Sequence, residues 1–572
     1  MATQTTVLKF GSSVLKCEDD IPKAVHEIYR HWRQGSQVLV VVSAFQGATD
    51  ALIKKSKEYG DDVDVSAAAT LIATGETVSA SLLALALKRS GIPSKLLNPD
   101  QVGLRTAGDP LDSEPILTDV ERLKRELNDA IVIVSGFVGM NDDGDLTLLG
   151  RGGSDLTALF LAQKLDAKCV LVKDIDGLYE SDPSDARLRP NRFTLASYET
   201  TIRLGDQLVQ PKAVRFAEGH NQSFEIAAIG STNKSTVGNF ADKVGCDAHE
   251  HRPLRVALLG CGTVGGGVYQ RLAVLPEFFE IVGVVNLDPN KAFAVGIQNR
   301  HLERDAKYLI EKDCDVVIEL IGGREPARTF IEHALRSGRN VVTANKALLA
   351  ESGEELQTLA TENRVTIRYS ASVGGALPAL EAVTPNGTRP RAFKGIINGT
   401  CNFVIDQLAS GADFKTAVTL AQKAGFAEAD PTLDLDGTDA AQKLSLLARQ
   451  SFGEDLPISE IVREGIDRLT TEDVLEANER GNVFRLIAEC SSTEDGIKGS
   501  IKPIELPATH PFALVKGAEN CLEIETESGQ IKTIKGCGAG RHATTESILA
   551  DLFDLRREFV LPKPGKFKEV HA

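Results

Sequence analysis

The residues best equipped for chemistry lie in GFAEADPTLDLDGTDAAQKL, which runs from Gly425 to Leu444. Asp439 and Lys443 stand four apart where the pattern predicts a helix start, so their side chains share one face and can enter one cleft. Glu428 and Asp434 come from the Gly- and Pro-punctuated loop before it, with Gly425 at its head. Two or three carboxylates beside one ammonium suit a small zwitterionic substrate. The carboxylates hold its amino group, and the lysine sits near an oxygen whose charge changes during reaction. Taken alone, the Asp439–Lys443 pair reads more simply as a solvated helix cap with an i,i+4 ion pair.

A second set is RVALLGCGTVGGGVYQRL, read as a buried strand, a glycine turn and a helix. Gly260, Gly262 and Gly265 stand in the GxGxxG arrangement, with Thr263 and Val264 inside it. The first glycine permits the tight turn, the second lets backbone approach a pyrophosphate, and the third lets helix and strand pack closely. Its place between strand and helix makes it a dinucleotide site. In the next strand, EIVGVVNLDPNK, Asp288 can accept hydrogen bonds from ribose hydroxyls, which favours NAD, whereas Lys291 can contact the 2′-phosphate of NADP.

A third set opens the chain. In LKFGSSVL, Lys9 ends the first strand before a turn of small residues whose amides can cradle phosphate. VVVSAFQGATDALI, ATGETVSASLL and LTLLGRGGSDLTALFLAQKL accompany it. In the last, a glycine turn carries Arg151, Ser154 and Asp155 ahead of a helix, combining carboxylate recognition with oriented polar groups. Each of these residues taken singly also fits an ordinary polar loop.

Runs rich in Val, Ile and Leu alternate with helical stretches throughout, which implies parallel sheets covered by helices on both faces. The pattern restarts near Leu254 after a polar segment that holds His249 and His251, read as linker rather than metal ligands. At 572 residues the chain has room for three or four domains. A formal charge of -16 argues against nucleic acid or an anionic membrane as partner. The nine scattered cysteines show no CxxC pair, which fits free thiols in a reducing cytoplasm. No leader-like start and no apolar run of membrane-spanning length is read.

These motifs carry a resemblance. VVTANK, ASVGGALP, IINGTCNF, GCGAG at Gly536–Gly540 and the opening motif, spread over Leu254–Leu555, resemble homoserine dehydrogenases. That family interconverts aspartate 4-semialdehyde and homoserine. The resemblance implies that Lys443 is the proton donor and that Lys346 lies near both nicotinamide and substrate. It implies further that Gly425, Glu428 and Asp439 line the amino-acid pocket, beside Asp434 from the residue reading, and that Thr343 and Gly540 touch the cofactor. Leu287 stands where many members carry Arg or Lys, so NAD is favoured over NADP. A Na+ or K+ ion on the backbone carbonyls of Ser370, Val373, Gly375 and Leu377 is also implied, with Ser370 in place of the usual Glu. Dimerisation through the sheet of the catalytic insert, giving a homodimer or homotetramer, follows from the same likeness.

From about Val7 to Gly238 the chain resembles aspartokinases, with VKDIDGLYESDP matching their nucleotide segment. By that likeness Lys9 stabilises the transferring phosphoryl group of ATP with its Mg2+. Ser43, Thr49, Glu76 and Arg151 hold aspartate, Ser154 and Asp155 lie close by, and Asp174, Tyr179 and Asp182 lie near ATP. Two departures stand out. Ser12 and Ser13 follow Gly11 where two glycines and a Thr or Ser are usual, a variant also similar to glutamate 5-kinase, and Lys173 replaces a usual Thr. The expected architecture is α/β: an amino-acid-kinase αβα sandwich over 1–240, a linker over 241–253, and a Rossmann domain over 254–380. An inserted α+β catalytic and dimerisation domain follows over 381–535, and 536–572 returns to the Rossmann domain. The small ligand-binding ACT domains usual after an aspartokinase have no room between the halves, so inhibition by lysine or threonine through them is not expected. Two alternatives stay open: a kinase-like module without turnover, and a kinase for another amino acid.

Overall fold

The structure, a computed structural model, describes residues 4–60, 64–185, 190–204, 208–245, 252–286, 289–385, 389–428 and 430–560, with the side chains of 289–291 and 560 left aside. These residues divide into two compact units, one built mainly from the chain before residue 250 and the other mainly from 251–556. Leu287, Asp288, His249 and His251 lie outside the described residues.

The first unit is organised by a nine-stranded sheet with Thr5–Phe10 in its interior, flanked in parallel by Gln37–Val42 and Lys168–Lys173. Its strands QVLVVV and KCVLVK are apolar in continuous runs because helices cover both faces. Helix Gly153–Leu165 packs on it through Leu156, Leu159 and Phe160, all buried. At the far edge, Lys243–Gly245 pairs antiparallel with Arg192–Ser197. The stretch read as linker therefore begins inside this sheet, because a short strand can close an edge wherever a partner presents free backbone groups.

Helix Val65–Arg89 corrects a second expectation. It has 25 residues and is long and apolar enough to cross a membrane by length and composition. It packs instead against this unit, burying Ala69, Ala80, Leu83 and Leu87 completely and carrying Glu76 inward. A core helix of small apolar residues passes the same length criterion as a span.

The second unit begins with a six-stranded parallel sheet. Its order is Leu302–Glu303, Phe279–Val285, Leu254–Leu259, Val316–Glu319, Asn340–Thr343, Ile367–Arg368. Numbered along the chain this is 3-2-1-4-5-6, the doubly wound dinucleotide-binding order, with its switch point between Leu254–Leu259 and Val316–Glu319. A second six-stranded sheet, largely antiparallel, runs from Pro390–Ile396 at its middle to Ile531–Cys537 at one edge. Helices Gly399–Ala409 and Thr438–Phe452 pack with it into a core that includes Phe393, Val404, Leu444 and Leu447. The final helix, Arg541–Val560, returns to the parallel sheet and packs Ile548, Leu552 and Phe553 against Leu258 and Phe279.

Candidate functional site

In the second unit, Gly260 ends its strand with φ +94°, and an added Cβ would lie 2.6 Å from the Leu320 carbonyl carbon. At Gly265 a Cβ would fall 2.1 Å from the Gly260 oxygen, so a side chain here would push helix and strand apart. At Gly262 the Cβ position is open, with nothing within 4 Å, and Gly262 is the N-cap of helix Thr263–Ala273. Two crowded glycines thus hold an unobstructed helix N-terminus, led by Thr263 and Val264, which fits a dinucleotide pyrophosphate. The turn fits a dinucleotide cofactor, which when bound would supply the redox chemistry.

The carboxylates and lysines of this unit converge on Asp439. Gly437, at φ +81°, is the N-cap of helix Thr438–Phe452, which places Asp439 in the first turn, where the helix dipole favours a negative charge. Its two oxygens receive different lysines: Oδ2 lies 2.9 Å from Lys443 Nζ and Oδ1 lies 3.1 Å from Lys346 Nζ. Lys443 also donates to the Ile397 carbonyl at 2.9 Å. Asp439 and Lys443 are both buried, whereas the Lys346 side chain is 38% exposed. Burial pushes the Asp439 carboxyl up, but the Lys443 and Lys346 ammoniums outweigh it and hold it well below the usual carboxylate range. The charge of Asp439, with smaller contributions from Asp434 and Glu428, raises Lys346 above its ordinary value despite burial.

Lys346 opens helix Lys346–Glu362, a position where the dipole disfavours a cation. Asp439 offsets that cost. Glu428 is exposed, and its backbone carbonyl accepts from Gln422 Nε2, so among the described residues it reaches the cluster through charge rather than a hydrogen bond. Gly425 is exposed at φ +77° with open space around its Cβ position.

Sequence reasoning missed Asn398. One amide nitrogen donates to both Asp434 Oδ1 (2.7 Å) and Asp439 Oδ2 (2.8 Å), while Oδ1 accepts from Cys401 N as the cap of helix Gly399–Ala409. The residue lies within IINGTCNF, and Asn followed by Gly-Thr ahead of an apolar helix signals at most a cap. Burial, reinforced by the charge of Asp439, raises the Asp434 carboxyl, and Asn398 keeps the two acids side by side. Glu319 was missed too. Fully buried at a strand end, it accepts from Ile321 N, Gly322 N and the Thr343 hydroxyl at 2.6 Å.

The hydroxyl of Thr343, expected at the cofactor, is turned to Glu319. It is fully buried, donates to Glu319 and accepts from Asn345 N at 3.0 Å, and so fixes the turn that leads to Lys346. Gly540 has φ +114° and open space at its Cβ position. Of the expected cation ligands, the Ser370 carbonyl accepts from Val373 N at 3.3 Å and the Leu377 carbonyl from Ala379 N at 2.7 Å. Gly375 takes φ +53° against the backbone of Gly538 and Ala539. The Ser370 hydroxyl bonds Glu381 (2.7 Å) and Asp551 (2.9 Å).

The first unit repeats the device. Gly152, at φ +79°, is the N-cap of helix Gly153–Leu165, with Asp155 in its first turn. Asp155 Oδ1 lies 2.6 Å from Lys9 Nζ and Oδ2 lies 3.0 Å from Lys173 Nζ. Here all three residues are buried, at 4%, 4% and 6% exposure. Burial pushes Lys9 down to about 8 against the attraction of Asp155, with Lys173 adding to the fall. Burial works against the Asp155 carboxylate, yet Lys173 and Lys9 together hold it below its ordinary value. A Cβ on Gly11 would stand 2.7 Å from the Lys9 ammonium, so a side chain there would displace that ammonium.

Ser43 donates to Ser154 at 2.7 Å. Glu76 Oε1 accepts from Ala44 N and Thr49 Oγ1, both at 3.4 Å, and Oε2 is buried with no hydrogen-bond partner among the described residues. Burial pushes this carboxyl up to about 7. An unfilled buried oxygen on a carboxylate already held by one hydroxyl and one backbone amide fits an incoming ammonium. Arg151 is exposed on the turn between Gly150 and Gly152. Asp174 and Asp182 are exposed, Asp182 accepting from Ser184 N and Oγ, and Tyr179 donates to Asp176 at 2.6 Å.

Comparison with known proteins finds family matches for both units. Residues 379–553 match the homoserine dehydrogenase family, 260–370 the homoserine dehydrogenase NAD binding domain, and 4–227 the amino acid kinase family. A homoserine dehydrogenase of Lactococcus lactis is 35% identical over 313 residues, covering 52% of this chain and 73% of that protein. One from Neisseria gonorrhoeae is 32% identical over 320 residues, covering 54% of this chain and 73% of that protein. The crystal structure of a homoserine dehydrogenase from Thiobacillus denitrificans aligns with a TM-score of 0.52 at 34% identity, covering 54% of this chain and 75% of that one. The chain is therefore an enzyme of the homoserine dehydrogenase family that carries an amino acid kinase domain ahead of its NAD-binding and catalytic regions.

Proposed function

We propose that the second unit reduces aspartate 4-semialdehyde to homoserine through Lys443, Lys346 and the carboxylates around Asp439. The observation that carries this is the double engagement of Asp439, one oxygen on each lysine. An aldehyde oxygen that gains negative charge needs a cation and a proton at hand. Lys443, held by Asp439 and the Ile397 carbonyl, supplies both. Lys346 neutralises charge from the exposed side, and Asp434 with Glu428 receives the substrate ammonium. Asp288 and the absence of a base at Leu287 support NAD over NADP. Backbone carbonyls of Ser370, Val373, Gly375 and Leu377 belong to the same reading as a Na+ or K+ site, tested by dependence of the rate on K+. A homodimer or homotetramer in the cytoplasm completes it, and light scattering tests the assembly. The deciding experiment is oxidation of homoserine with NAD and NADP compared in wild type and Lys443→Ala.

The first unit, in this reading, phosphorylates the side-chain carboxylate of aspartate. Lys9 and the Gly11 turn fit the phosphates of Mg-ATP, and Glu76, Thr49, Ser43 and Arg151 fit an amino acid. Support comes from the free Glu76 oxygen, which matches an α-ammonium. Hydroxylamine trapping of the acyl phosphate, run with aspartate, glutamate and other amino acids, separates this from a kinase for a different acceptor. A second reading, a kinase-like module without turnover, predicts no trapped product from any of them.

A further inference from the structure

We propose that Lys173 is a second phosphoryl-binding ammonium of the kinase site, held opposite Lys9 by Asp155. This rests on the phosphoryl-transfer reading of the first unit. Strands Thr5–Phe10 and Lys168–Lys173 lie side by side in parallel, with Lys9 beside Leu171 in register. Both strands run to the same end of the sheet, so Lys9 and Lys173 reach one carboxylate from two directions. A buried ion pair needs one cation per carboxylate. Here two ammoniums share one, and a net positive charge is left in an interior position, which costs stability unless an anion arrives. Besides Asp155, the other groups bearing on Lys9 are Lys173 and the Cys169 thiol, which burial keeps neutral.

The surroundings suit an anion with several oxygens. Gly11 brings bare backbone to the Lys9 ammonium, and the Ser43 and Ser154 hydroxyls pair beside the start of the Asp155 helix. In transfer to a carboxylate, an acceptor oxygen bonds to the γ-phosphorus as the bridging P–O bond to the β-phosphate breaks. The electron pair leaves with ADP, and no proton moves because the acceptor is already ionised. A general base is therefore not needed. Asp155, held anionic between two lysines, serves to aim them at separate oxygens of the transferring group. A threonine at this position, as the aspartokinase likeness expects, would leave Asp155 with Lys9 alone.

The test compares full-length wild type with Lys173→Thr, Lys173→Arg and Lys173→Met, the last keeping the aliphatic stem without the charge. Acyl-phosphate formation in Lys173→Thr and Lys173→Met should lose about 100-fold in kcat with the acceptor KM within about threefold, while Lys173→Arg recovers at least about tenfold of that loss. By calorimetry, a non-hydrolysable ATP analogue with Mg2+ should bind these neutral variants about tenfold more weakly, with ADP changed less than about twofold. The alkaline limb of the rate should also move up, since Lys9 loses a like charge. Equal weakening of ADP and analogue, or a kcat within about twofold of wild type in Lys173→Met, overturns the assignment. If wild type traps no acyl phosphate and hydrolyses no ATP with any amino acid, the kinase reading itself falls and this assignment with it.

Discussion

Two sites on unrelated sheets use the same three side chains, Lys9–Asp155–Lys173 in one unit and Lys346–Asp439–Lys443 in the other. In each, a left-handed glycine caps a helix whose first turn carries the aspartate. What differs is the company. The kinase triad is buried on all three members and, among the described residues, has no second acid hydrogen-bonded to it, so burial dominates and Lys9 sits near 8. The dehydrogenase triad leaves Lys346 partly exposed and surrounds it with Asp434 and Glu428, so Lys346 moves up instead. On the proposed functions, one local device would suit a polyanion when its charge is net positive and a zwitterion when carboxylates are added.

The largest expected effect breaks the dehydrogenase triad. Lys443→Ala should lower aldehyde reduction about 1000-fold while nucleotide affinity, followed by cofactor fluorescence, stays within about twofold. Loss of nucleotide binding in that variant would point to a folding role.

The pH response sharpens the comparison next. Lys9 must carry its proton to serve a phosphoryl group, so kinase rates should fall about tenfold per unit above pH 8. Lys346 is raised above the ordinary lysine value, so it imposes no such limb on the dehydrogenase below pH 10. Asp155→Asn removes the attraction that supports the Lys9 proton, and the kinase limb should then move below 8. Parallel profiles for the two activities would erase the distinction drawn here.

Glu76 gives a smaller effect with a defined sign. Its carboxylate form receives the acceptor ammonium, so acceptor affinity should weaken as pH falls below about 7, and Glu76→Gln should raise KM about tenfold at pH 8 and flatten that dependence. Because the folded carboxyl titrates near 7 rather than at its ordinary 4.5, the native state binds the proton more tightly. The stability this confers is fully present below 4.5 and lost as pH rises through 7. Glu76→Gln should then stabilise the kinase unit at pH 8 by on the order of 3 kcal/mol, read as a rise in its thermal midpoint. The smallest contrast is Gly262→Ala against Gly265→Ala. The first should fold normally and weaken the cofactor, and the second should lower stability, because its methyl would meet the Gly260 oxygen.

The parts of both sites that follow a local rule were readable from residues alone. GxGxxG between strand and helix, and Asp439 four before Lys443, need only helical and turn geometry. Glu76 could be named by likeness, but not its empty oxygen, which depends on how Ala44 and Thr49 pack against it. Asn398 and Glu319 were invisible for a different reason. Their partners are 36 or more and 24 residues away, and no spacing rule links a cap residue to two distant acids. Thr343 shows the converse: its motif was recognised, but burial against Glu319 turned the hydroxyl inward. Lys173 stood out as a departure, and only the parallel register with Lys9 gave it a partner.

The most direct test of two chemistries from one device is to run both reactions on full-length wild type and Lys9→Ala. We expect wild type to form ATP-dependent aspartyl hydroxamate and to oxidise homoserine, and Lys9→Ala to lose the first about 1000-fold while keeping the second. No hydroxamate from wild type with any amino acid, or equal loss of both activities in Lys9→Ala, would contradict the account.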